Sequence, residues 1–447
     1  MYSRHLARRL LEALSDTPVV LLHGARQTGK STLARRIAEE PHPARYISLD
    51  DATSLAAAMS DPQGFVGGLG GPAVIDEVQR APGLFLALKQ AVDENRTPGR
   101  YLLTGSANVL LLPQLAETLV GRMEVLTLWP LSQGEIEGRR EGLIDALFGE
   151  ETPFSPGPVE SGTGVWPRIR RGGYPEALAR RTTDRRDAWF GAYVTTLLQR
   201  DIRDLASIEG LADLPRLLGL VAANAGNLVS FAELSRDAGI AQTTLKRYLA
   251  LLETSFLIQR LQPWSANLGK RLIKTPKLYL TDTGLAAHLL GWGEGGRPEA
   301  GRDAGRLLEN FVFMELTKAI TWSRVQPRLY HFRTASGTEV DFVLEDRSGR
   351  CVGIEAKAGT SLGENDFSGL RALREALGER FRCGVVLYGG SEGVSFGRNL
   401  YAAPVQSLWT APNGGSDARA AKPRGRGHGR AHAAAEGRLH PRNRSAG

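Results

Sequence analysis

Gly24-Ala25-Arg26-Gln27-Thr28-Gly29-Lys30-Ser31 follows the apolar run Val19-Val20-Leu21-Leu22 and leads into a helical pattern that begins at Thr32. The spacing is that of a phosphate-binding loop, G-x-x-x-x-G-K-[ST]. Glycines let backbone N–H groups turn inward at a strand end, and the next helix directs its positive N-terminal end at the same space. Residues 24 to 32 are therefore expected to cradle the phosphates of ATP. Lys30 would reach the β- and γ-phosphates, and the Ser31 hydroxyl would ligate Mg²⁺. A glycine-rich turn with a solvated lysine would need neither the strand before nor the helix after. Further on, the apolar Pro72-Ala73-Val74-Ile75 runs into Asp76-Glu77. An acidic pair at a strand end is alone an ordinary turn or helix cap, but about 45 residues after a phosphate loop it suits a nucleotide hydrolase, with Asp76 in the magnesium shell and Glu77 polarising the attacking water. Thr104, Ser106 and Asn108 end a further strand, where they would sense the γ-phosphate or cap the next helix, Val109–Leu119. Arg122 is a candidate charge stabiliser, in cis or from a neighbouring subunit, with a surface salt bridge as the alternative.

A second constellation lies near the C-terminal end. The turn Asp346-Arg347-Ser348-Gly349-Arg350 centres on Ser348, which sets Asp341 opposite Glu355 and Glu339 opposite Lys357 in an antiparallel hairpin. Side chains two apart share a face, so the four are expected to cluster. A surface hairpin with a Glu339–Lys357 ion pair satisfies the same pattern. Asp341 and Glu355-Ala356-Lys357, with Glu309 on the preceding helix, resemble the restriction-endonuclease-like nuclease core. That resemblance implies Mg²⁺ held by Asp341 and Glu355, Lys357 orienting water, and Glu309 completing the shell.

The elements that must position these residues alternate. Residues 1–16 read as an amphipathic helix with Leu6, Leu10, Leu11 and Leu14 on one side. Strands over Val19–Leu22, Arg45–Asp51, Pro72–Glu77, around Tyr101–Leu103 and over Met123–Leu131, with helical patterns between them, imply a parallel sheet covered on both faces. Residues 149–165 read as a linker or surface loop, and Asp187–Ala206 as a long helix. Ser230–Ile240 and Ala241–Leu252 join at a glycine as a helix-turn-helix, with Thr243, Thr244, Lys246 and Arg247 exposed. Phe256–Pro263 and Lys277–Asp282 would form the strands of a wing. After the flexible Gly291–Gly305 come a helix Arg306–Leu316, strands Arg328–Arg333, Gly337–Leu344 and Cys351–Lys357, a helix Asp366–Leu377 and a strand Cys383–Tyr388.

The phosphate loop, Val74-Ile75-Asp76-Glu77-Val78-Gln79, Leu103-Thr104-Gly105-Ser106, Gly121-Arg122, Pro130-Leu131-Ser132-Gln133-Gly134-Glu135, Gly172-Gly173-Tyr174-Pro175-Glu176 and Gln199-Arg200-Asp201-Ile202 together resemble the AAA-type ATPases of bacteria and archaea that carry a C-terminal domain of unknown function. The resemblance spans nearly all of residues 1–410. The expected α/β organisation is a P-loop ATPase domain with a parallel sheet over 1–140, a loop and helical lid-like region over 141–215, a winged helix over 216–290, a small nuclease-like α/β domain over 304–410 and a disordered basic tail over 411–447.

The formal charge of +8 is concentrated in that tail, which carries +6 and leaves +2 for the rest. Its Gly, Ala, Pro and Arg content without aromatics reads as disorder. Cys351 and Cys383 lack metal-ligand spacing and read as reduced thiols of a cytoplasmic protein, and no apolar run approaches bilayer length. Three outputs compete. ATP gates a DNA nuclease, or the protein is a non-cleaving switch that binds DNA or a protein partner through the winged helix, C-terminal domain or tail, or it remodels another protein. A homo-oligomer would allow a neighbour to supply the arginine.

Overall fold

The computed structural model describes residues 2–106, 119–150, 154, 157–158, 164–201, 213–265, 275–292, 302–334 and 336–411. Asn108, most of the helix expected over Val109–Leu119, Ile202, the centre of the 291–305 linker and the basic tail beyond residue 411 lie outside the described residues, as do the side chains of Arg200 and Asp201.

Strands β1 (Val19–His23), β2 (Arg45–Ser48), β3 (Ala73–Asp76), β4 (Tyr101–Gly105) and β5 (Met123–Thr127) make a five-stranded sheet in the order β2-β3-β4-β1-β5. Every pairing in it is parallel. The unbroken apolar run of β1 follows from coverage on both faces. Val19 and Leu21 pack with Ile75, Tyr101 and Leu103, while Val20 and Leu22 pack with Leu6, Leu10, Leu33 and Ile37. The helix Leu6–Asp16 buries Leu6, Leu10, Ala13 and Leu14, the stripe expected of an amphipathic helix lying on a sheet. Because β1 sits between β4 and the edge strand β5, its carboxyl end is flanked by strands on both sides, where open parallel sheets bind ligands.

The helices Phe231–Ala238 and Gln242–Thr254 meet at Gly239, whose backbone is left-handed (φ 72°), and the Ser230 hydroxyl accepts the Glu233 N–H at 3.3 Å. A two-stranded antiparallel ribbon follows, β7 (Ile258–Leu261) with β8 (Lys277–Leu280), in the register Ile258 opposite Leu280. Thr243, Lys246 and Arg247 are exposed as expected, whereas Thr244 is half-buried.

A seven-stranded mixed sheet forms the C-terminal part, in the order β6-β13-β14-β12-β11-β10-β9. It comprises β6 (Gly157–Pro158), β9 (Arg328–Arg333), β10 (Glu339–Glu345), β11 (Cys351–Lys357), β12 (Phe381–Tyr388), β13 (Glu392–Ser395) and β14 (Leu400–Pro404). Gly157–Pro158 falls inside the stretch expected to be a linker or loop. It pairs with β13 and so caps this sheet's edge. The hairpin β10–β11 is antiparallel, β11–β12 is parallel, and the helix Ser368–Leu377 joins them. Gly369 lets that helix lie close to the hairpin, since a Cβ there would sit 2.1 Å from the Glu339 carbonyl oxygen. The helix expected over Arg306–Leu316 is longer, Arg302–Trp322, and its apolar side, including Leu308, Phe311, Val312 and Leu316, is buried. No described helix is long and apolar enough to cross a membrane.

Candidate functional site

At the end of β1 the backbone turns through Gly24, where a Cβ would lie 2.2 Å from the Leu128 carbonyl oxygen, so no larger side chain fits the turn. Gln27 and Gly29 adopt left-handed conformations (φ 61° and 93°), and the helix Lys30–Glu39 begins immediately afterwards. The Lys30 ammonium, buried at 4% exposure, donates to the Ala25 carbonyl at 2.8 Å, and Thr28 Oγ1 donates to the same oxygen at 3.0 Å. The loop is thus closed over its own lysine.

The acids stand beside it. Ser31 Oγ donates to Asp76 Oδ1 at 2.9 Å, the Tyr46 hydroxyl donates to Asp76 Oδ2 at 2.7 Å, and Thr104 Oγ1 also donates to Asp76. Glu77 leaves β3 in the left-handed region (φ 59°), and its N–H donates to Thr104 Oγ1 at 3.1 Å. Its carboxylate accepts the Ser106 hydroxyl at 2.9 Å and the Gln79 side-chain amide, which also donates to Ser106 Oγ at 2.8 Å. Thr104 and Ser106 were expected either as phosphate sensors or as caps. In the structure they are the groups that aim the two acids, together with Tyr46 and Gln79, which sequence reasoning missed.

Arg122 is elsewhere. It precedes β5, whose first residue pairs with Val19 at the start of β1, so it lies at the amino end of the sheet. A five-residue strand separates that end from the loop, about 17 Å at strand rise. Its guanidinium is bound to Asp93 at 2.6 Å. The expectation that Arg122 meets the phosphates of its own chain is therefore corrected, because the direction of the strand carries it away.

Next to the loop opens a mainly apolar cavity of about 360 Å³. Thr28, Gly29, Thr32, Leu33, Arg36 and Ile37 form one wall, and Tyr2, Arg4, Ala7, Leu11, Leu131 and Pro175 face them. Arg4 ties the two sides together by donating to the Thr28 carbonyl at 2.7 Å, the Trp129 carbonyl at 2.6 Å and Glu135 Oε1 at 3.1 Å. Glu135 also closes a capping box with Ser132. Leu131 is held from both sides, its N–H donating to the Gly173 carbonyl at 2.8 Å and its carbonyl accepting Lys318 Nζ at 3.0 Å. Lys318 is paired with Glu315, which accepts the Gln133 N–H at 2.9 Å. The strings Pro130–Glu135 and Gly172–Glu176 thus converge on the phosphate loop, with no sequence signal beyond their resemblance to show it.

His23, the last residue of β1, touches Thr127 Oγ1 through Nε2 at 2.8 Å, and burial, with Lys30 nearby, pushes its imidazole down to about 4. The unfolded chain, with an ordinary value near 6.5, takes up the proton that the folded chain refuses. Stability is therefore fully present above pH 6.5 and falls as the pH drops from 6.5 towards 4. By linkage the loss at pH 5 is about 2 kcal/mol. Denaturant unfolding of wild type and His23→Gln at pH 7 and pH 5 measures it, and the variant should lack that part of the slope.

The C-terminal residues meet, but in a pattern the sequence did not give. Asp341 and Glu355 are neighbours across the hairpin, with the Ala356 N–H donating to Asp341 Oδ2 at 3.0 Å. Glu309 arrives from the long helix, where it accepts Lys277 Nζ at 2.8 Å and the Tyr279 hydroxyl at 2.6 Å. Lys277 also lies 3.6 Å from Asp341 Oδ1. The expected Glu339–Lys357 pair does not form. Glu339 pairs with Arg333 on β9, and Lys357 lies 3.4 Å from Glu355. Burial, reinforced by Asp341, pushes Glu309 up to about 7 and Glu355 well above the usual carboxylate range. Among the described residues no three or more His, Cys, Asp or Glu side chains are arranged to hold a metal ion. Glu309, Asp341 and Lys357 line an open cleft of about 500 Å³ together with Arg306 and Asn227.

Residues 16–137 match the family described as AAA domain, 164–295 a domain of unknown function (DUF8612) and 304–408 a domain of unknown function (DUF4143). Uncharacterized proteins of Mycobacterium tuberculosis and Mycobacterium bovis are each 33% identical over 410 residues, covering 91% of this chain and 84% of the relative. An uncharacterized protein of Haemophilus influenzae is 26% identical over 259 residues, covering 55% of this chain and 57% of its own. Among solved structures, a Signal Transduction ATPase with Numerous Domains (STAND) protein with a tetratricopeptide repeat sensor from Pyrococcus horikoshii aligns with 70% of this chain and 46% of its own. The identity is 12% and the TM-score 0.20, too slight a likeness to carry an argument.

Proposed function

Since the chain belongs to the family of its two mycobacterial relatives and carries an AAA domain, we propose that it binds and hydrolyses ATP with Mg²⁺ at the Gly24–Thr32 loop. The observation that carries this reading is the contact of Ser31 with Asp76, 2.9 Å apart, beside a Glu77 aimed by Thr104, Ser106 and Gln79. A hydroxyl and a carboxylate side by side are the hard oxygen donors that Mg²⁺ takes alongside water and phosphate. When bound, the ion supplies charge neutralisation on the β- and γ-phosphate oxygens. Lys30 and the loop N–H groups hold the phosphates, Asp76 orients Ser31 and the ion's water shell, and Glu77 polarises the attacking water. The cavity beside Thr32, Leu33 and Ile37 suits the nucleobase, with Tyr2, Leu131 and Pro175 as its opposite wall. Arg122 retains a role only in a neighbouring copy.

The helix pair followed by the β7–β8 ribbon supports a winged helix, and the β10–β11 hairpin running through the helix Ser368–Leu377 into parallel β12 supports a nuclease-like fold. Occupation of that fold's acidic cluster by Lys277 favours a non-cleaving nucleotide switch over an ATP-gated DNA nuclease.

Asp76→Asn tests the metal part. With Mg²⁺ present it should lower ATP affinity about tenfold or more, and in EDTA it should leave affinity unchanged. Titration of a fluorescent ATP analogue reads both conditions. Equal affinities of wild type and variant in Mg²⁺ would remove Asp76 from the metal shell.

A further inference from the structure

Every carboxylate of the C-terminal cluster already has a partner from within the chain. Lys277 Nζ is 2.8 Å from Glu309 Oε1 and 3.6 Å from Asp341 Oδ1, on a side chain only 4% exposed. Tyr279, two residues along β8 and so on the same face of the ribbon, donates its hydroxyl to the same Glu309 oxygen. The second oxygen of Asp341 is taken by the Ala356 N–H, and Lys357 attends Glu355. One ammonium therefore joins three elements, the ribbon strand β8, the long helix and the hairpin strand β10.

We propose that Lys277 is a resident cation, carried into the acidic cluster by the β7–β8 ribbon, that takes the place a divalent metal would need and keeps the cluster metal-free. The geometry makes the two exclusive. A divalent ion requires carboxylate oxygens converging at about 2.0–2.6 Å. An ammonium already in contact with one of those oxygens and close to another repels such an ion and engages the lone pairs it would need. While that contact holds, the acidic cluster accepts no divalent metal. The inference rests on the nuclease-like reading only for the kind of ion displaced.

The test uses the full chain without nucleotide, titrated with Mn²⁺ and followed by electron paramagnetic resonance of the free ion and by thermal unfolding. Wild type should show no saturable Mn²⁺ site that Asp341→Asn removes, and its midpoint should not rise with Mn²⁺. Lys277→Met keeps the apolar stem and removes the charge. It should gain one Mn²⁺ site, at least tenfold tighter than any in wild type, lose it again when Asp341→Asn is added, and be stabilised by the ion. If Lys277→Met alone does not fold, Lys277→Gln keeps a neutral hydrogen-bond donor for Glu309 while removing the charge, and should show the same gain. Mn²⁺ uptake by wild type that Asp341→Asn abolishes, or a folded Lys277→Met chain that gains no site, overturns the proposal. Metal uptake is the readout, so a variant that binds Mn²⁺ without cutting DNA supports the resident cation while the nuclease reading fails.

Discussion

Lys30→Ala is expected to lower ATP affinity by about 100-fold or more while leaving the fold intact. A charge-assisted contact to phosphate in a water-poor loop contributes about 1.5–3 kcal/mol, and loss of the lysine also leaves the phosphate charge uncompensated. The fold should survive because the Ala25 carbonyl that accepts the Lys30 ammonium also accepts Thr28 Oγ1, which keeps that oxygen paired in the variant. Removing a buried cation beside His23 should also let that imidazole titrate slightly higher, though burial remains the larger cause of its depression. Calorimetric titration of ATP into both proteins, with circular dichroism as the folding check, makes the measurement. Affinity within threefold of wild type would mean that the phosphates do not lie at this loop.

Glu77→Gln should separate binding from turnover. The substitution keeps the shape and leaves an amide oxygen to accept from Ser106 and Gln79, so the chain around it need not move. Only the negative charge that would draw a proton from the attacking water is lost. General-base removal costs about 10²–10⁴-fold in rate. ATP affinity should stay within about twofold of wild type, and phosphate release should fall by at least 100-fold. A variant that hydrolyses at the wild-type rate would assign the water to another residue. Loss of binding and rate together would make Glu77 structural.

Much of this site was legible in the sequence, for a physical reason. A phosphate loop is local, so glycines, lysine and hydroxyl at fixed spacing specify backbone and chemistry within nine residues. Asp76 and Glu77 were legible because an apolar strand running into acids delivers them to the carboxyl edge of a parallel sheet. The cavity wall was not, because Tyr2, Leu131 and Pro175 come from three distant segments that meet only through tertiary contacts such as those of Arg4 and Lys318. Arg122 misled because a Gly-Arg pair carries no information about which end of a strand it will occupy. The hairpin register was fixed by its turn and placed Asp341 beside Glu355 correctly. Its charge pairing was not, because β9 brings Arg333 to Glu339 on the other flank, where the register shifts between Val340 and Val343. Lys277 gave no signal at all. It looks like an ordinary charged residue opening a short strand, and its partner Glu309 is 32 positions away.

Phosphate release from ATP by the purified full chain, measured in Mg²⁺ and in EDTA for wild type and Glu77→Gln, decides whether the loop and Glu77 form a hydrolytic site. Wild type should turn over ATP in Mg²⁺ only, and the variant at least 100-fold more slowly at equal occupancy. Turnover that persists in EDTA, or that the variant retains, would contradict that assignment.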